Sequence, residues 1–374
     1  MLNEEKAVAK LKRPVAIIFG AGASRGGLDG PANVPPPVDK DFFDIANQLS
    51  GHGTPKLARR VLNDVWQLYG RTNGVGLETY YRDLETRAII GEFAKTANQP
   101  KDWRRRQKEL EELIRRVYVH TTVYDTHEST VLPKKSTIHK NILEMLRNKD
   151  TIITFNYDLL IEESFPSAEL WNPVDGYKIK TYGKTRGWAK RWLEERKYEV
   201  GTNSKIRLLK LHGSLNWELY PTGTAIRLKP RPYLVSTRSG KTRFEKILIL
   251  APGWKKEINR NPYKQFWRTA RLRLEKCKTL IILGYSLPET DLLAQSLLAE
   301  VVRTRGTRKA FLNQLHLADK DERVKERFVK LFTPALGPHG KVFKYYDIAE
   351  FNRRMRNPGQ SSEHVRSRNI DEAI

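Results

Sequence analysis

The sequence predicts an α/β fold in which a parallel sheet is flanked by helices and carries a helical insertion subdomain. Short apolar runs rich in Val and Ile recur along the chain, without the strict alternation of a half-exposed strand. Most of the strong runs stop at a small or polar cluster, namely GAGAS, NYD, HGS, APGW or GYS. Because ligands bind beyond the carboxyl ends of the strands in an open parallel sheet, we expect these clusters to line one crevice.

Seven apolar runs are predicted as strands, five of them strong and the last two weaker. In chain order they are Val15–Phe19, Thr151–Phe155, Ile206–Leu211, Ile247–Leu250, Leu280–Leu283, Leu312–Leu317 and Val342–Tyr346. Runs of this kind are typical of strands that are buried on both faces between layers of helices.

The character of the chain changes between residues 56 and 148, where charged and apolar residues alternate at helical spacing. The helical segments are Glu78–Ala97, Trp103–Tyr118 and Pro133–Arg147. We therefore predict three parts, which are a catalytic domain of residues 1–55 and 149–350, a helical insertion over 56–148, and a polar, frayed tail over 351–374.

Two later segments are also distinctive. The polar and basic stretch 172–204 predicts either a cap or a binding surface. Thr290–Val302 predicts an amphipathic helix with Asp291 in its first turn, where a carboxylate complements the helix dipole.

The composition restricts the class of protein. The 374-residue chain has a formal net charge of +25, which predicts attraction to an acidic partner or a solvated surface that promotes solubility. The single cysteine, Cys277, excludes an intrachain disulfide and a four-cysteine zinc site. The N-terminal segment is too charged for a signal peptide, and no apolar run approaches the roughly 20 residues that cross a bilayer. We expect a cytoplasmic protein without membrane contact.

A glycine-rich segment follows the first predicted strand directly. Glycines at positions 20 and 22 permit a tight turn and let backbone N–H groups approach a pyrophosphate, and a helix N-terminus would favour the negative charge. Arg25 stands where the third glycine of the GxGxxG pattern would be, and it either pairs with a phosphate or points into solvent. A plain glycine turn between strand and helix is the alternative interpretation.

Polar side chains end three further predicted strands. Asn156 and His212 follow the second and third strands and are candidate neighbours in one crevice, although Asn156 and Asp158 are also suited to capping a helix. Gly284 and Ser286 follow the fifth strong strand, where backbone N–H groups and a hydroxyl would hold a phosphate or ribose. A simple turn between strand and helix is again the alternative.

Taken in order, the motifs GAGAS, TFNYD, KLHGSLNW and LIILGYSLPETD resemble those of the sirtuin-like NAD-consuming domains, most closely the branch of bacterial antiphage defence. They extend from residue 15 to about residue 291. The resemblance implies a Rossmann-like domain that binds NAD as its substrate, without a metal, and hydrolyses it to ADP-ribose and nicotinamide. It also implies an NAD-depleting effector of abortive infection, a homo-oligomer, and a partner such as a HerA-type motor ATPase.

The resemblance assigns roles to individual residues. Asn156 would position the water near the ribose C1′, and His212 would contact the nicotinamide ribose and act as a base. The predicted cofactor-binding residues are Gly20, Ala21, Gly22, Ser24, Gly213, Gly284 and Ser286. Two departures argue against protein deacylation, because the chain lacks the cysteines of the sirtuin zinc module and has Val34–Asp39 in place of a GIPDFR-type stretch. Within Val34–Asp39, Asp39 would take over part of the role of the GIPDFR-type stretch.

The chemistry supports the same assignment independently. NAD carries a cationic leaving group, so the protein must exclude bulk water, hold one water in line with the scissile bond and supply a base. The amide of Asn156 suits the orientation of a water, and an imidazole such as that of His212 suits proton acceptance near neutral pH. Asp158 is predicted to orient one of these two side chains.

Other residues allow alternatives. His120, Asp125 and His127 are of metal-binding types, but their spacing matches no known motif. The basic stretches Trp103–Arg106 and 184–197 would suit phosphate backbones, and this charge motivates a second hypothesis, a nucleic-acid-binding protein for which NAD is only a regulatory ligand. Trp188 and Trp192 would then stack on bases, or else belong to the core, and Trp217 and Trp254 would line the pocket or the core. ADP-ribosyl transfer or cyclisation at the same site is a third hypothesis.

Overall fold

The computed structural model describes most of the chain. The described residues are 11–29, 34–49, 55–71, 74–93, 99–125, 131–220, 225–230, 232, 248–249 and 261–357.

The strands form one large sheet and three small ones. In chain order they are β1 (Val15–Phe19), β2 (Val123–Asp125), β3 (Val131–Pro133), β4 (Thr151–Thr154), β5 (Thr181–Tyr182), β6 (Arg207–Lys210), β7 (Gly213–Ser214), β8 (Trp217–Leu219), β9 (Ile226–Leu228), β10 (Leu248–Ile249), β11 (Thr279–Leu283), β12 (Leu312–Ala318) and β13 (Leu336–Tyr345). The large sheet is six-stranded and parallel, in the order β13-β12-β11-β1-β4-β6.

This order is that of a doubly wound sheet. Read from the β6 edge, the six strands follow the sequence third, second, first, fourth, fifth and sixth along the chain, which is the order of a dinucleotide-binding Rossmann fold. The chain reverses its direction of winding between β1 and β11, so the ligand crevice of such a sheet lies beyond the carboxyl ends of these two strands. The predicted fold class, a Rossmann-like parallel sheet flanked by helices, is confirmed.

Helices cover both faces of the sheet. They are α1 (Ala21–Gly27), α2 (Phe42–Gln48), α3 (Pro55–Tyr69), α4 (Leu77–Phe93), α5 (Gln99–Thr122), α6 (Thr137–Glu144), α7 (Leu160–Ser164), α8 (Gly187–Glu195), α9 (Tyr263–Lys276), α10 (Leu292–Arg308), α11 (Glu322–Phe332) and α12 (Ile348–Arg356). Every residue of β1, β4 and β11 is buried, which is why these strands read as continuous apolar runs rather than as alternating ones.

Six of the seven predicted strands lie in the parallel sheet, and one prediction is wrong. Only residues 248–249 of the run Ile247–Leu250 form a described strand, and this strand pairs antiparallel with β7 in a separate two-stranded sheet. The reason lies in Gly213, whose φ of 86° turns the chain away from β6 and presents a short backbone edge with which β10 pairs.

The predicted insertion contains four helices. α3, α4 and α5 pack against one another, whereas α6 packs against α1, α7 and α12 of the sheet domain. The predicted domain limits stay a prediction. Residues 351–356, assigned to the polar tail by sequence, lie in α12, where Phe351 and Met355 are buried; the rest of the tail lies outside the described residues.

No described helix is long and apolar enough to cross a membrane.

The backbones of β11 and α1 meet at a glycine contact that sets the shape of the crevice. Gly20 N–H donates to Leu283 O at 3.0 Å, and Gly22 N–H donates to Gly284 O at 2.9 Å. A Cβ atom added to Gly284 would lie 2.2 Å from the backbone nitrogen of Ala23. Glycine is required here because two main chains approach more closely than a side chain permits.

Replacement of Gly284 tests this contact. Gly284 and Gly74 both have left-handed φ angles, 58° and 52°, but an added Cβ at Gly74 meets nothing within 4 Å. We expect Gly74→Ala to lower the free energy of unfolding by about 1 kcal/mol through backbone strain alone, whereas Gly284→Ala adds a steric term of about 1–3 kcal/mol. Urea unfolding followed by circular dichroism measures both. Equal losses in the two variants would contradict the close approach.

Candidate active site

The carboxyl ends of four strands are level with one another at one edge of the sheet. In the register of the sheet, Phe19 lies beside both Thr154 and Leu283, and Thr154 lies beside Lys210. The segments that follow β1, β4, β6 and β11 therefore emerge together. They carry all the predicted site residues.

Asn156 joins the segment after β4 to the glycine-rich turn after β1. Its Nδ2 donates to the carbonyl oxygen of Gly20 and to Oγ of Ser24, both at 2.9 Å, and its backbone N–H donates to Oγ1 of Thr154 at 3.0 Å. Within the described part of the chain no group donates to its Oδ1. Two contacts thus fix the amide plane and leave its acceptor oxygen to a ligand or water. Asn156 caps no helix, because α7 begins only at Leu160.

Asp158 closes a triangle with Asn156 and Ser24. The Ser24 hydroxyl donates to Oδ2 of Asp158 at 2.7 Å, and the backbone N–H of Leu160 donates to Oδ1 at 3.0 Å. The carboxylate therefore holds α1 and the start of α7 together. Of the two side chains it was predicted to orient, Asp158 therefore orients Asn156, through Ser24.

A buried ion pair supports the Asn156–Asp158 segment from below. Nζ of Lys210 donates to Oε1 of Glu162 at 2.9 Å and to the carbonyl oxygen of Asp158, and the Tyr177 hydroxyl donates to Glu162 at 3.0 Å. Burial raises the pKa of Glu162, while the Lys210 ammonium and the hydrogen bonds oppose this shift. Removal of one partner of such a pair leaves an uncompensated buried charge, so the pair fixes the geometry of the segment above it.

His212 pairs with a carboxylate that the sequence analysis did not assign to it. Its Nε2 lies 3.1 Å from Oδ2 of Asp291, and both side chains are buried. Asp291 is the N-cap of α10, because its Oδ1 accepts from Ala294 N–H at 3.3 Å, and Tyr285 OH donates to Oδ2 at 3.3 Å. The helix terminus and the tyrosine hold the carboxylate where it can stabilise a protonated imidazole.

Asp291 was interpreted from sequence only as a charge at the start of a helix. One signal could have assigned Asp291 to the site. It lies shortly after the strand β11, at the edge of the sheet that also carries Asn156 and His212. What the sequence could not show is that the chain between Gly284 and Asp291 turns back toward the end of β6.

Aromatic rings enclose the histidine. The rings of Phe155 and His212 lie with their centroids 5.0 Å apart, edge to face, and Phe155 stacks on Tyr285 at 4.3 Å. Burial raises the pKa of Tyr285 well above its ordinary value, with the carboxylates of Asp291 and Glu78 acting in the same direction. Tyr285 therefore remains a hydrogen-bond donor to Asp291 at neutral pH.

The remaining predicted binding residues fall into two groups. Ala21, Gly22 and Gly284 are partly exposed at the crevice, whereas Gly20, Ser24 and Gly213 are buried within its wall. Ser286 stands apart, because it is exposed and its carbonyl oxygen accepts from Nη1 of Arg327 at 3.1 Å. Its hydroxyl contacts none of the other predicted residues that the structure describes.

Residues between α1 and α4 approach the same edge. Oδ1 of Asp39 accepts from the backbone N–H of Glu78 at 2.8 Å, and burial raises the pKa of Asp39. Arg25 forms an exposed ion pair with Asp41.

The tryptophans near the site belong to the core. Trp188, Trp192 and Trp217 are buried, and Trp188 Nε1 donates to Glu163 Oε1 at 2.8 Å. The structure therefore supports the core interpretation rather than base stacking. Trp254 and His127 lie outside the described residues, as does the side chain of Trp103. Within the described ranges, no group of three or more His, Cys, Asp and Glu side chains is arranged to hold a metal ion.

His139 of α6 lies beneath the glycine-rich turn. Its ring stacks on Phe19 with centroids 5.3 Å apart, and its Nδ1 lies 2.6 Å from Oγ of Ser136, which donates to the carbonyl oxygen of Gly27. Burial lowers the pKa of His139 to about 4, although the carboxylates of Asp158 and Asp29 act in the opposite direction.

Comparisons with known proteins agree with this geometry. Residues 150–331 match a family model described as the SIR2-like domain, a segment that includes Asn156, His212 and Asp291. The coarser part of the predicted resemblance, similarity to SIR2-like proteins, is therefore confirmed. No curated protein matches the chain.

Several solved structures are also similar. A Sir2 homologue variant in complex with ADP-ribose is 13% identical, with 97% of this chain and 100% of that chain covered and a TM-score of 0.41. A Sir2 complex with a p53 peptide and NAD⁺ is 13% identical, with 96% and 100% covered and a TM-score of 0.39.

The buried His139 predicts a pH dependence of stability. Its folded pKa lies below that of an unfolded histidine, so the unfolded chain takes up a proton as the pH falls from about 6.5 to about 4 and the folded chain does not. We expect this one group to remove about 3 kcal/mol of stability over that interval, at 1.36 kcal/mol for each pKa unit. His139→Gln should remove the uptake of about one proton on unfolding. The free energy of unfolding should then depend less steeply on pH in this interval. Parallel profiles for the wild type and the variant would refute this assignment.

Proposed function

We propose that the protein is an NAD glycohydrolase, which cleaves NAD⁺ to ADP-ribose and nicotinamide. The observation that carries the proposal is the placement of a fixed asparagine amide and a His–Asp pair at the switch point of a doubly wound sheet. Asn156 hydrogen-bonds to the glycine-rich turn, and His212 pairs with Asp291, so contacts within the protein fix the position of both side chains. The match of residues 150–331 to the SIR2-like domain supports the same activity.

The crevice residues fit a dinucleotide. The partly exposed first turn of α1, with Ala21 and Gly22, would receive the pyrophosphate at the positive end of a helix. The backbone N–H groups of Gly20 and Gly22 already donate to Leu283 and Gly284, so the helix dipole would supply this attraction. The Gly284–Ser286 segment would contact the adenosine side. Gly20 and Ser24 are buried behind the crevice surface and accept the hydrogen bonds that hold Asn156 in place.

The chemical step needs one water and one base. The bond between nicotinamide nitrogen and ribose C1′ breaks, and its electron pair neutralises the pyridinium, so the leaving group needs no acid. Water forms the new bond to C1′ and gives up a proton, which His212 accepts and returns to solvent. Asn156 Oδ1 would orient that water, and Asp291 would stabilise the imidazolium. Asp158 contributes by fixing Ser24 and thereby Asn156.

Substitution of the three site residues tests the activity. We expect Asn156→Ala and His212→Ala each to lower kcat by at least about 100-fold, since general acid–base and positioning groups are worth about 10²–10⁴. Asp291→Asn should lower kcat by at least about 10-fold, because the imidazolium loses its counter-charge. Chromatography of nicotinamide and ADP-ribose measures all of these rates.

A matched control separates catalysis from helix capping. Asp347 is the N-cap of α12 and accepts from Glu350 N–H at 2.9 Å, as Asp291 accepts from Ala294 N–H for α10, but it pairs with no histidine among the described residues. Asp347→Asn should therefore leave kcat unchanged. Equal activity in Asp291→Asn and the wild type would contradict the role of the pair, and products other than ADP-ribose would identify transfer or cyclisation instead.

We further propose that the hydrolase acts as an NAD-depleting effector in antiphage defence, as a homo-oligomer with a HerA-type motor ATPase as its partner. An unregulated NAD hydrolase would exhaust the cell, so the activity requires a trigger from assembly or from a partner. In infected bacteria, the wild type should lower NAD and restrict phage, and Asn156→Ala should do neither. Failure of the purified protein to associate with the ATPase would refute the pairing.

A second function is favoured by the charge of the chain. The net charge of +25 supports binding to nucleic acid, with NAD as a regulatory ligand only. Such binding should weaken as salt is added. A plot of log Kd against the logarithm of the salt concentration should be linear, with a slope of about 0.9 for each phosphate contact on duplex DNA. Fluorescence anisotropy with a labelled duplex measures this slope. Absent or salt-insensitive binding would remove this alternative.

A further inference from the structure

The helical insertion touches the loop that carries Asp291. Glu78, the second residue of α4, accepts a hydrogen bond at Oε2 from the Thr290 hydroxyl. Thr290 is adjacent to Asp291, whose carboxylate holds His212. Glu78 of the insertion therefore contacts the residue next to Asp291, and Asp291 contacts the proposed catalytic histidine.

The start of α4 is itself fixed to the sheet domain. Glu78 N–H donates to Oδ1 of Asp39, and Gly76 packs so closely that an added Cβ would lie 2.1 Å from the other carboxylate oxygen of Asp39. Glu78 thus reaches the loop from an anchored helix terminus rather than from a freely moving arm. Its negative charge adds to the burial that raises the pKa of Tyr157 and of Tyr285.

The loop after β11 is held from two sides. Nη1 of Arg327 on α11 donates to the carbonyl oxygens of Ser286 and Leu287, at 3.1 and 3.0 Å, and so fixes the first half of the loop. The second half carries Thr290 and Asp291, and Glu78 of the insertion contacts it through the Thr290 hydroxyl. A shift of the Thr290–Asp291 backbone would move the Asp291 carboxylate and change its distance to His212.

We propose that Glu78 is a positioning residue for the His212–Asp291 pair, and that the helical insertion completes the active site through the Glu78–Thr290 contact. The inference rests on the proposed hydrolase activity for its catalytic meaning. The contact itself does not depend on that activity. Glu78 touches no reacting atom; it acts by holding Thr290 and with it the N-cap of α10.

The test compares two substitutions of one residue. Thr290→Ser keeps the hydroxyl donor, whereas Thr290→Val keeps the shape and loses it. Thr307→Val is the control, because Thr307 lies at an exposed position near the end of α10, where its hydroxyl donates to Arg303 O at 2.9 Å. Hydrogen–deuterium exchange of the Asp291 and Ala294 amides and the kcat and KM for NAD are measured in each.

We expect Thr290→Val to speed exchange at both amides and to lower kcat by about 10-fold or more with KM nearly unchanged, since small misplacements of a catalytic group cost up to about 10² in rate. Thr290→Ser and Thr307→Val should match the wild type. Glu78→Ala should reproduce Thr290→Val, and the double variant should lose no more than either single one because both remove the same contact.

The outcomes separate the two proposals. Unchanged exchange in Thr290→Val, or equal kcat in Thr290→Val and Thr290→Ser, overturns the positioning role. Faster exchange in Thr290→Val, with no NAD cleavage by the wild type either alone or together with the proposed ATPase partner, would leave the structural link in place and refute the hydrolase. Additive effects in the double variant would show that Glu78 and Thr290 act separately, which also overturns the proposal.

Discussion

The close approach of two main chains at Gly284 and the first turn of α1 is the constraint on which the site depends. It brings the end of β11 against the glycine-rich turn after β1 at 2.9 Å, from Gly22 N to Gly284 O. The segments that follow these two strands therefore line the same crevice. Asn156 hydrogen-bonds to the same turn, and the loop that follows Gly284 carries Asp291 toward His212. A larger side chain at this junction would separate the two halves of the site.

The two proposed catalytic groups are stabilised by different means. Asn156 is held by neutral hydrogen bonds to Gly20 and Ser24, above the buried Lys210–Glu162 pair. His212 is held by a carboxylate, and its surroundings are aromatic. This division suits the proposed reaction, in which one group must orient a neutral water and the other must carry a positive charge. Both are fixed by contacts within the protein, which favours catalysis by preorganisation.

Sequence patterns predicted the fold well because buried parallel strands leave a strong local signal. Six of seven apolar runs lie in the sheet. The exception is Ile247–Leu250, which is equally apolar, but whose described residues 248–249 pair with Gly213–Ser214. Asn156 was placed at a strand end correctly for the same reason. The contacts of Asp291 and Glu78 were not predictable, because they depend on how a loop and an insertion fold back over the sheet. No spacing in the sequence records such long-range contacts.

A crystal structure of the protein with ADP-ribose would test the central claim most directly. We expect the pyrophosphate over the first turn of α1, at Ala21 and Gly22, and the ribose that carried nicotinamide between Asn156 and His212. We also expect that the His212–Asp291 contact survives in the complex. A ligand bound elsewhere, or a terminal ribose remote from both Asn156 and His212, would contradict the account.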